Sequence, residues 1–269
     1  MAYILSNVLN YYFLLNDELS DPRTQGWFLM RSPIPGLFLL AGYLYLVFRG
    51  LPDYMSTRRP YDLRRTIVTY NILQILACGY ILYQSLKLGW ATHYKFICQG
   101  VDFSNSPEAL DYAFKVCYGY FFVKFVDLVD TIFFVLRKKQ SQVTFLHVYH
   151  HAGMVMFAWA IVKWLPGGHG TLLIPINSFV HMIMYGYYLL TVWDETYKKS
   201  IWWKKHVTHL QLTQFTILII HYAILFLLPN CDYPNFVAYI IVPQNLFMLF
   251  LFGDFYYKTY IKKPNIKNN

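Results

Sequence analysis

The chain has 269 residues and a formal net charge of +9, and 57% of its residues are hydrophobic whereas only 14% are charged. So few charged residues cannot cover the surface of a soluble globular protein of this size, which excludes that class. The composition predicts an all-α polytopic membrane protein, and we expect no nucleic-acid partner.

Seven segments can cross a bilayer, since a transmembrane helix needs roughly 20 mostly apolar residues. In chain order they are 27–48, 67–86, 112–136, 143–164, 171–193, 206–228 and 236–257. The third, fourth and sixth are less apolar because polar residues interrupt them. Residues outside the segments are too few for a second domain, so residues 1–269 are predicted to form a single transmembrane domain. Residues 1–16 lack the pattern of a cleavable signal peptide.

Basic residues predict the orientation of the chain. The loops after the first, third and fifth spans, together with the C-terminal tail, hold 16 of the 23 Lys and Arg residues, whereas the opposite side holds five. By the positive-inside rule the basic side faces the cytosol. The C-terminus is then cytosolic and the N-terminus lies on the far side, which agrees with an odd number of spans.

This topology predicts which compartment each cysteine faces. Cys98 lies between the second and third spans and Cys231 between the sixth and seventh, so both face the non-cytosolic compartment. If that compartment is oxidising, a Cys98–Cys231 disulfide is expected, and the alternative is two unrelated free thiols. Cys78 and Cys117 lie within predicted helices.

Charged residues recur along one face of the third span. Lys124, Asp127 and Asp130 are spaced at i, i+3 and i+6. Each would be costly against lipid, so we expect all three to face the interior of the bundle. Asp130 lies ~10 Å inside the cytosolic boundary, at a rise of about 1.5 Å per residue.

The fourth span begins with a cluster of imidazoles. His147, His150 and His151 lie at i, i+3 and i+4 and therefore share one helix face. A lone histidine on an apolar face is usually a satisfied core residue, but three together at a depth where polar groups are costly indicate chemistry. They reach roughly 6 to 12 Å from the cytosolic boundary, which matches the depth of the aspartates.

The fifth and sixth spans carry polar stripes in the same cytosolic half. The stripes consist of Asn177, His181, Met184, Tyr185 and Tyr188, with Tyr187 adjacent, and of Thr208, Gln211 and Gln214. Interhelical hydrogen bonding explains the glutamine pair equally well. Four helices with polar side chains at one depth nevertheless predict a polar chamber that opens to the cytosol and narrows into an apolar interior.

Such a chamber suits an acyl thioester of coenzyme A, which has a polyanionic nucleotide, a reactive carbonyl and a hydrocarbon tail. Arg137, Lys139 and Lys204 lie where the phosphates would be met.

These motifs together resemble the very-long-chain fatty acid elongases, which are membrane 3-oxoacyl-CoA synthases of the endoplasmic reticulum. The resemblance extends from about the first span to the last. It rests on residues 124–131 (KFVDLVDT), 147–151 (HVYHH), 177–188 (NSFVHMIMYGYY) and 208–214 (THLQLTQ), in this order and spacing. Many relatives have Glu where this chain has Asp127, and the Asp form is similar to members that favour saturated and monounsaturated chains.

The resemblance implies seven transmembrane helices, six of which enclose a substrate tunnel closed at the luminal end. It implies condensation of a long-chain acyl-CoA with malonyl-CoA in the endoplasmic reticulum membrane, with no metal and no cofactor beyond these substrates. It also implies contact with membrane lipid and with the reductases and dehydratase of the elongation cycle. The sequence leaves the oligomeric state open, with a homodimer as one alternative.

The chemistry suggests roles for the candidate residues. Condensation needs an acyl group held for attack and an enolate, which forms from malonyl-CoA by loss of carbon dioxide. Cys78 and Cys117 lie away from the chamber, so histidine is the better nucleophile. We assign His150 to carry the acyl group, with His151 as the alternative, and His147 and His151 to position the thioester or move protons.

Other polar residues are assigned to assist the reaction or to bind the substrates. His181 would assist at the enolate or carbonyl oxygen, and Asp130, with Asp127, would orient a histidine and fix its tautomer. The candidate substrate-binding residues are Lys124, Arg137, Lys139, Gln142, Asn177, Tyr187, Lys204, Thr208, Gln211 and Gln214.

Two rival functions are weighed against this one. HxxHH also occurs in membrane di-iron desaturases and hydroxylases, which need about eight imidazoles at two metals. Here His93 and His169 are predicted to be luminal, His221 lies in the luminal half of its helix, and only His206 and His209 offer a second HxxH. A non-enzymatic seven-helix transporter or receptor would explain the topology but not three histidines opposite two aspartates.

Overall fold

The computed structural model describes residues 2–262, and every regular element within them is helical. Six helices in this part of the chain are long and apolar enough to cross a membrane. The all-α polytopic class is therefore confirmed, whereas the count of seven spans and the enclosed tunnel stay predictions. The end of the basic tail, residues 263–269, lies outside the described residues.

The principal helices are numbered in chain order. They are α1 (Ala2–Phe13), α2 (Pro33–Met55), α3 (Arg64–Trp90), α4 (Gly119–Val126), α5 (Val129–Leu136), α6 (Phe145–Trp164), α7 (His169–Trp193), α8 (Ile201–Phe226) and α9 (Phe236–Ile261). Two short helices are Pro107–Asp111 and Glu195–Lys199. π-helical turns occur at Leu14–Glu18, Leu46–Gly50, Leu86–Trp90, Tyr112–Tyr118 and Tyr257–Ile261, and 3₁₀ turns at Gln140–Gln142, His169–Leu172 and Ile224–Phe226.

The third predicted span is an interrupted helical run instead of one continuous helix. A short helix and a π-helical turn lead into α4, which ends at Val126, and α5 begins at Val129. In the break, the amide of Asp130 bonds to the carbonyl of Asp127, so the helical ladder does not reach back to Val126. The Val126 carbonyl instead accepts a hydrogen bond from the Tyr70 hydroxyl of α3 at 3.3 Å. The break thus ties α3 to the most polar part of this run.

Local caps fix where two helices begin. The side chain of Ser32 accepts a hydrogen bond from a backbone amide of the first turn of α2, and Pro33 occupies the first helical position. The helix therefore starts later than the predicted segment 27–48. Thr144 caps α6 by accepting a hydrogen bond from the amide of His147, so that the histidine cluster begins in the first turn of its helix.

The helices pack into one bundle around the interrupted run. α3 packs along α7, α8 packs against α7 and α9, and α4 packs against α6. α2 lies at the periphery and buries one stripe of side chains, Leu40, Tyr43 and Val47, at i, i+3 and i+7. This stripe carries the Tyr43 hydroxyl from an otherwise lipid-facing helix into the interior.

The two ends of the bundle differ in chemistry. The basic end holds Arg137, Lys139 and Lys204 in or beside the loops that join the helices. At the opposite end, Cys98 and Cys231 form a disulfide bond that joins two loops. The sequence left either a disulfide or two free thiols open, and the structure has the disulfide. We call these the basic end and the disulfide end.

Candidate active site

The first turns of α6 place three imidazoles side by side. The ring centroids of His147 and His151 are 4.2 Å apart, and those of His150 and His151 are 5.5 Å apart. His151 is buried, whereas the other two rings are partly exposed. The helical spacing therefore produces one contiguous imidazole surface, as the sequence predicts.

Contacts from α5 hold the first of these rings. The Nε2 atom of His147 lies 2.9 Å from the Thr131 hydroxyl oxygen, and the ring of Phe134 lies 5.2 Å away, centroid to centroid. The Thr131 oxygen lies 2.8 Å from the Tyr43 hydroxyl of α2. His147 is thus held by one hydrogen bond and by rings on two sides.

A buried charged cluster joins α4 to α7. Lys124 Nζ lies 2.9 Å from Asp127 Oδ2 and 3.4 Å from His181 Nε2. His181 Nδ1 lies 3.6 Å from the same carboxylate oxygen. Lys124 and Asp127 are only 2% and 1% exposed, and ions buried this deeply are stable only when they are paired. Thr131, which follows Asp130 in the chain, contacts His147 of the imidazole surface at 2.9 Å, so the imidazole surface and the charged cluster belong to one site.

A tyrosine of α7 bridges the two carboxylates. Tyr185 Oη lies 3.0 Å from Asp127 Oδ1 and 2.8 Å from Asp130 Oδ2. Gln74 of α3 donates a hydrogen bond to Asp127 Oδ1 at 2.6 Å. The sequence assigned Asp130 to orient a histidine; the contact described for its carboxylate is Tyr185, and the assignment stays a prediction. Of these two carboxylates, Asp127 lies beside a histidine, His181.

Hydrogen bonds extend from this cluster towards the disulfide end. Lys124 Nζ lies 5.0 Å from the ring centroid of Tyr120. The Tyr120 hydroxyl donates to Asn177 Oδ1 at 2.8 Å, and Asn177 Nδ2 donates to Gln214 Oε1 at 3.3 Å. Gln211 Nε2 contacts the sulfur of Met184 at 3.8 Å. The interhelical bonding that the sequence left open for the glutamines is therefore present at Gln214.

The candidate phosphate-binding residues lie apart from the buried cluster, at the basic end. Arg137 follows the last turn of α5, Lys139 and Gln142 lie in the connection to α6, and Lys204 lies in the first turn of α8. All four are at least partly exposed. Thr208 is buried and donates its hydroxyl to the carbonyl of Lys204 at 3.0 Å. These residues can meet the polar head of a ligand whose reactive carbonyl reaches the histidines.

Four buried polar side chains of the site were not predicted from the sequence, namely Tyr43, Tyr70, Gln74 and Tyr120. Tyr70 and Gln74 lie at i and i+4 on α3 and so share a face. A glutamine inside an apolar span is the signal that would have identified that face. The other two carry no such signal, because a tyrosine in an apolar helix is equally compatible with packing. Tyr187, predicted to bind substrate, is buried in a cluster with Tyr70.

An apolar cavity of about 360 Å³ lies between α3, α7 and α8. Its lining includes Leu86, Trp90, Phe179 and Ile217, and Gln214 also borders it. Hydrocarbon in this cavity would lie next to the polar network. An enclosed tunnel stays a prediction.

Two further histidines pair with each other at the disulfide end. The rings of His169 and His221 stack with centroids 3.7 Å apart, and the Nε2 atom of each lies 3.0 Å from the backbone carbonyl oxygen of the other. They join the start of α7 to the end of α8 and so serve the structure. Two of the nine histidines therefore lie far from the cluster at the start of α6. They cannot contribute to the set of about eight ligands that a di-iron centre there would need.

The sequence matches an established family over most of its length. Residues 28–268 match the model of the ELO family, described as GNS1/SUR4.

Individual relatives agree with this match. A very long chain fatty acid elongase of Aedes aegypti is 43% identical, over 97% of this chain and 72% of its own length. Very long chain fatty acid elongase 7 of Rattus norvegicus is 44% identical, over 90% of this chain and 86% of its own length. Very long chain fatty acid elongase 1 of Homo sapiens is 40% identical, over 90% of this chain and 87% of its own length.

Proposed function

The chain belongs to the ELO (GNS1/SUR4) family and functions in very-long-chain fatty acid elongation, and we propose that it is the 3-oxoacyl-CoA synthase that condenses an acyl-CoA with malonyl-CoA. The observation that carries this proposal is the contiguous surface of three imidazoles, which Thr131 joins to the helical run that holds the buried Lys124–Asp127 pair. Imidazole can accept an acyl group and release it, and a fixed buried charge can stabilise an enolate.

His150 is the residue that carries the acyl group in this mechanism. Its neutral imidazole attacks the thioester carbonyl, the carbon–sulfur bond breaks, and coenzyme A leaves with the proton of the imidazole. His147 has its Nε2 atom engaged by Thr131, and His151 is buried. The partly exposed His150 is therefore the better placed of the three for a bulky thioester.

Malonyl-CoA then enters and loses carbon dioxide, and the electron pair of the broken carbon–carbon bond forms an enolate. The enolate carbon attacks the acyl-imidazole, the carbon–nitrogen bond breaks to give 3-oxoacyl-CoA, and the departing imidazolate takes a proton from water, which regenerates neutral His150. His181, held beside Lys124 and Asp127, is positioned to stabilise the enolate oxygen. Asp130 acts through Tyr185, which it shares with Asp127.

The basic end faces the cytosol in this proposal, so that the C-terminus is cytosolic and the N-terminus lies in the lumen of the endoplasmic reticulum. Arg137, Lys139, Gln142 and Lys204 meet the phosphates and polar arm of coenzyme A there. The 3-oxo product requires reduction and dehydration to complete an elongation cycle, so the reductases and the dehydratase are the expected partners. A homodimer in the membrane is a further expectation.

The test is condensation by the purified full-length protein. We expect acyl-CoA and radiolabelled malonyl-CoA to yield labelled 3-oxoacyl-CoA and carbon dioxide, and His150→Ala to abolish the product. His93→Ala, at an exposed loop histidine of the disulfide end, is the matched control and should keep parental activity. Absence of product across a panel of acyl lengths and degrees of unsaturation would overturn the proposed function. Full activity of His150→Ala would overturn its assignment.

A further inference from the structure

Two hydroxyl groups form a relay between the peripheral helix α2 and the histidine cluster. The Tyr43 and Thr131 oxygens are 2.8 Å apart, and the Thr131 oxygen lies 2.9 Å from His147 Nε2. Thr131 has no solvent exposure and Tyr43 is 6% exposed. Water therefore does not compete for these groups, and each hydroxyl proton must find its acceptor inside the protein.

The number of protons and acceptors in the relay determines the direction in which its hydrogen bonds are donated. Each hydroxyl has one proton to donate, and a neutral imidazole has one donor and one acceptor nitrogen. If Tyr43 donates to Thr131 and Thr131 donates to Nε2, both hydroxyl protons are used. If His147 Nε2–H donates to Thr131 instead, only the Tyr43–Thr131 contact remains for two hydroxyl protons. One of these protons then lacks an acceptor among the described contacts, and an unsatisfied buried donor is costly.

We propose, on the basis of the function proposed above, that Tyr43 and Thr131 are positioning residues that hold His147 in the tautomer protonated at Nδ1. Its Nε2 lone pair is occupied by Thr131, so His147 neither carries the acyl group nor accepts a proton at that atom. Its Nδ1–H is left as a hydrogen-bond donor within the imidazole cluster. His147 thus donates a hydrogen bond during the reaction, and the acyl group goes to another imidazole.

Packing against neighbouring rings also restricts the orientation of the His147 ring. It contacts the rings of Phe134, at 5.2 Å, and His151, at 4.2 Å, measured between ring centroids. With the Nε2 bond in place, rotation of the ring would break its hydrogen bond to the buried Thr131 hydroxyl. The relay therefore sets both the tautomer and the orientation of the ring, which ring packing does not do alone.

The direct test is ¹⁵N NMR of the purified protein with labelled histidine, with the His147 signals assigned by their loss in His147→Gln. We expect protonated Nδ1 and unprotonated Nε2 in the parent, and a mixture of both tautomers in Thr131→Val. Nε2 protonation in the parent overturns the proposal. This readout needs no turnover, so it is independent of whether the condensation function holds.

Kinetics provide the second readout. We expect kcat to fall about tenfold or more in Thr131→Val, since a factor of ten corresponds to about 1.4 kcal/mol, with KM for acyl-CoA unchanged and with rescue by Thr131→Ser. Tyr43→Phe should lower kcat less, because Thr131 can still donate. Equal losses in Thr131→Val and Thr131→Ser would indicate a packing role and overturn the proposal.

Two matched controls remove the same kinds of hydroxyl group from exposed helical positions. Tyr45→Phe removes an exposed hydroxyl from α2, and Thr216→Val removes an exposed hydroxyl that bonds only within α8. We expect both to keep parental kcat and the parental His147 tautomer. A tautomer change in either control would show that the signal reports general loosening of the bundle, which would also contradict the proposal.

Discussion

Replacement of Lys124 by methionine should destabilise the protein by leaving a carboxylate buried without its ion partner. Lys124 Nζ lies 2.9 Å from Asp127 Oδ2, and both side chains are 2% exposed. Removal of one partner from a buried pair costs about 3–5 kcal/mol. Gln74 and Tyr185 still lie within hydrogen-bonding distance of the carboxylate, at 2.6 and 3.0 Å, so we expect the lower end, about 3 kcal/mol.

The assay is thermal unfolding of the purified protein in detergent. At about 2–4 °C per kcal/mol, the expected loss in Tm for Lys124→Met is about 6–12 °C. The double variant Lys124→Met with Asp127→Asn should recover most of this loss, because it removes both charges and keeps an oxygen that accepts from Gln74. Lys115→Met, which removes one side of a solvent-exposed pair, is the control and should change Tm little. A Tm for Lys124→Met equal to the parent, or a double variant no more stable than the single one, would refute the reasoning.

Four further predictions concern the disulfide bond, two glycines and the hydrogen-bond donor beside Asp127. Loss of the disulfide by Cys98→Ser should cost about 2–5 kcal/mol, and a reductant should lower the Tm of the parent but not of this variant. Gly168→Ala should destabilise the disulfide end, because Gly168 has a φ of +70° and an added Cβ would lie 2.9 Å from a backbone oxygen. Gly153→Ala, on α6 with no atom within 4 Å of the added Cβ, should raise Tm slightly. Gln74→Leu should lower kcat in the condensation assay, because the carboxylate of Asp127 loses its nearest neutral donor.

The site could be predicted from sequence wherever a polar residue stands out against an apolar helix. Spacing alone brought His147, His150 and His151 onto one face, and the same argument placed Lys124 and Asp127 in the interior. The cost of an unpaired charge in lipid forces such residues inward. The pattern is therefore informative even without a structure.

The partners of these residues could not be predicted in the same way. The sequence assigned Asp130 to orient a histidine, which stays a prediction, and it did not indicate that Tyr185 would lie 2.8 Å from the Asp130 carboxylate. Tyrosine contributes equally to packing and to hydrogen bonding, so its presence in a span does not tell which role it has. Tyr43 likewise enters the site because α2 buries one stripe, and sequence periodicity does not specify which neighbour that stripe will meet.

The boundaries of the third span show a second limit. Residues 112–136 predict one span in spite of the polar residues that interrupt them, yet one helix ends at Val126 and the next begins at Val129. At the break the Val126 carbonyl accepts a hydrogen bond from Tyr70, which lies 56 residues away along the chain. A hydrogen bond to a distant helix leaves no trace in local hydropathy, so only the fold shows it.

The mass of the intact protein after exposure to acyl-CoA alone tests most directly whether His150 carries the acyl group. We expect one acyl group per chain, located on the peptide that contains residues 147–151, and its disappearance when malonyl-CoA is added. His150→Ala should show no adduct, whereas the control His93→Ala should be acylated like the parent. An unmodified parent protein that still makes 3-oxoacyl-CoA, or an adduct that persists in His150→Ala, would contradict the proposed mechanism.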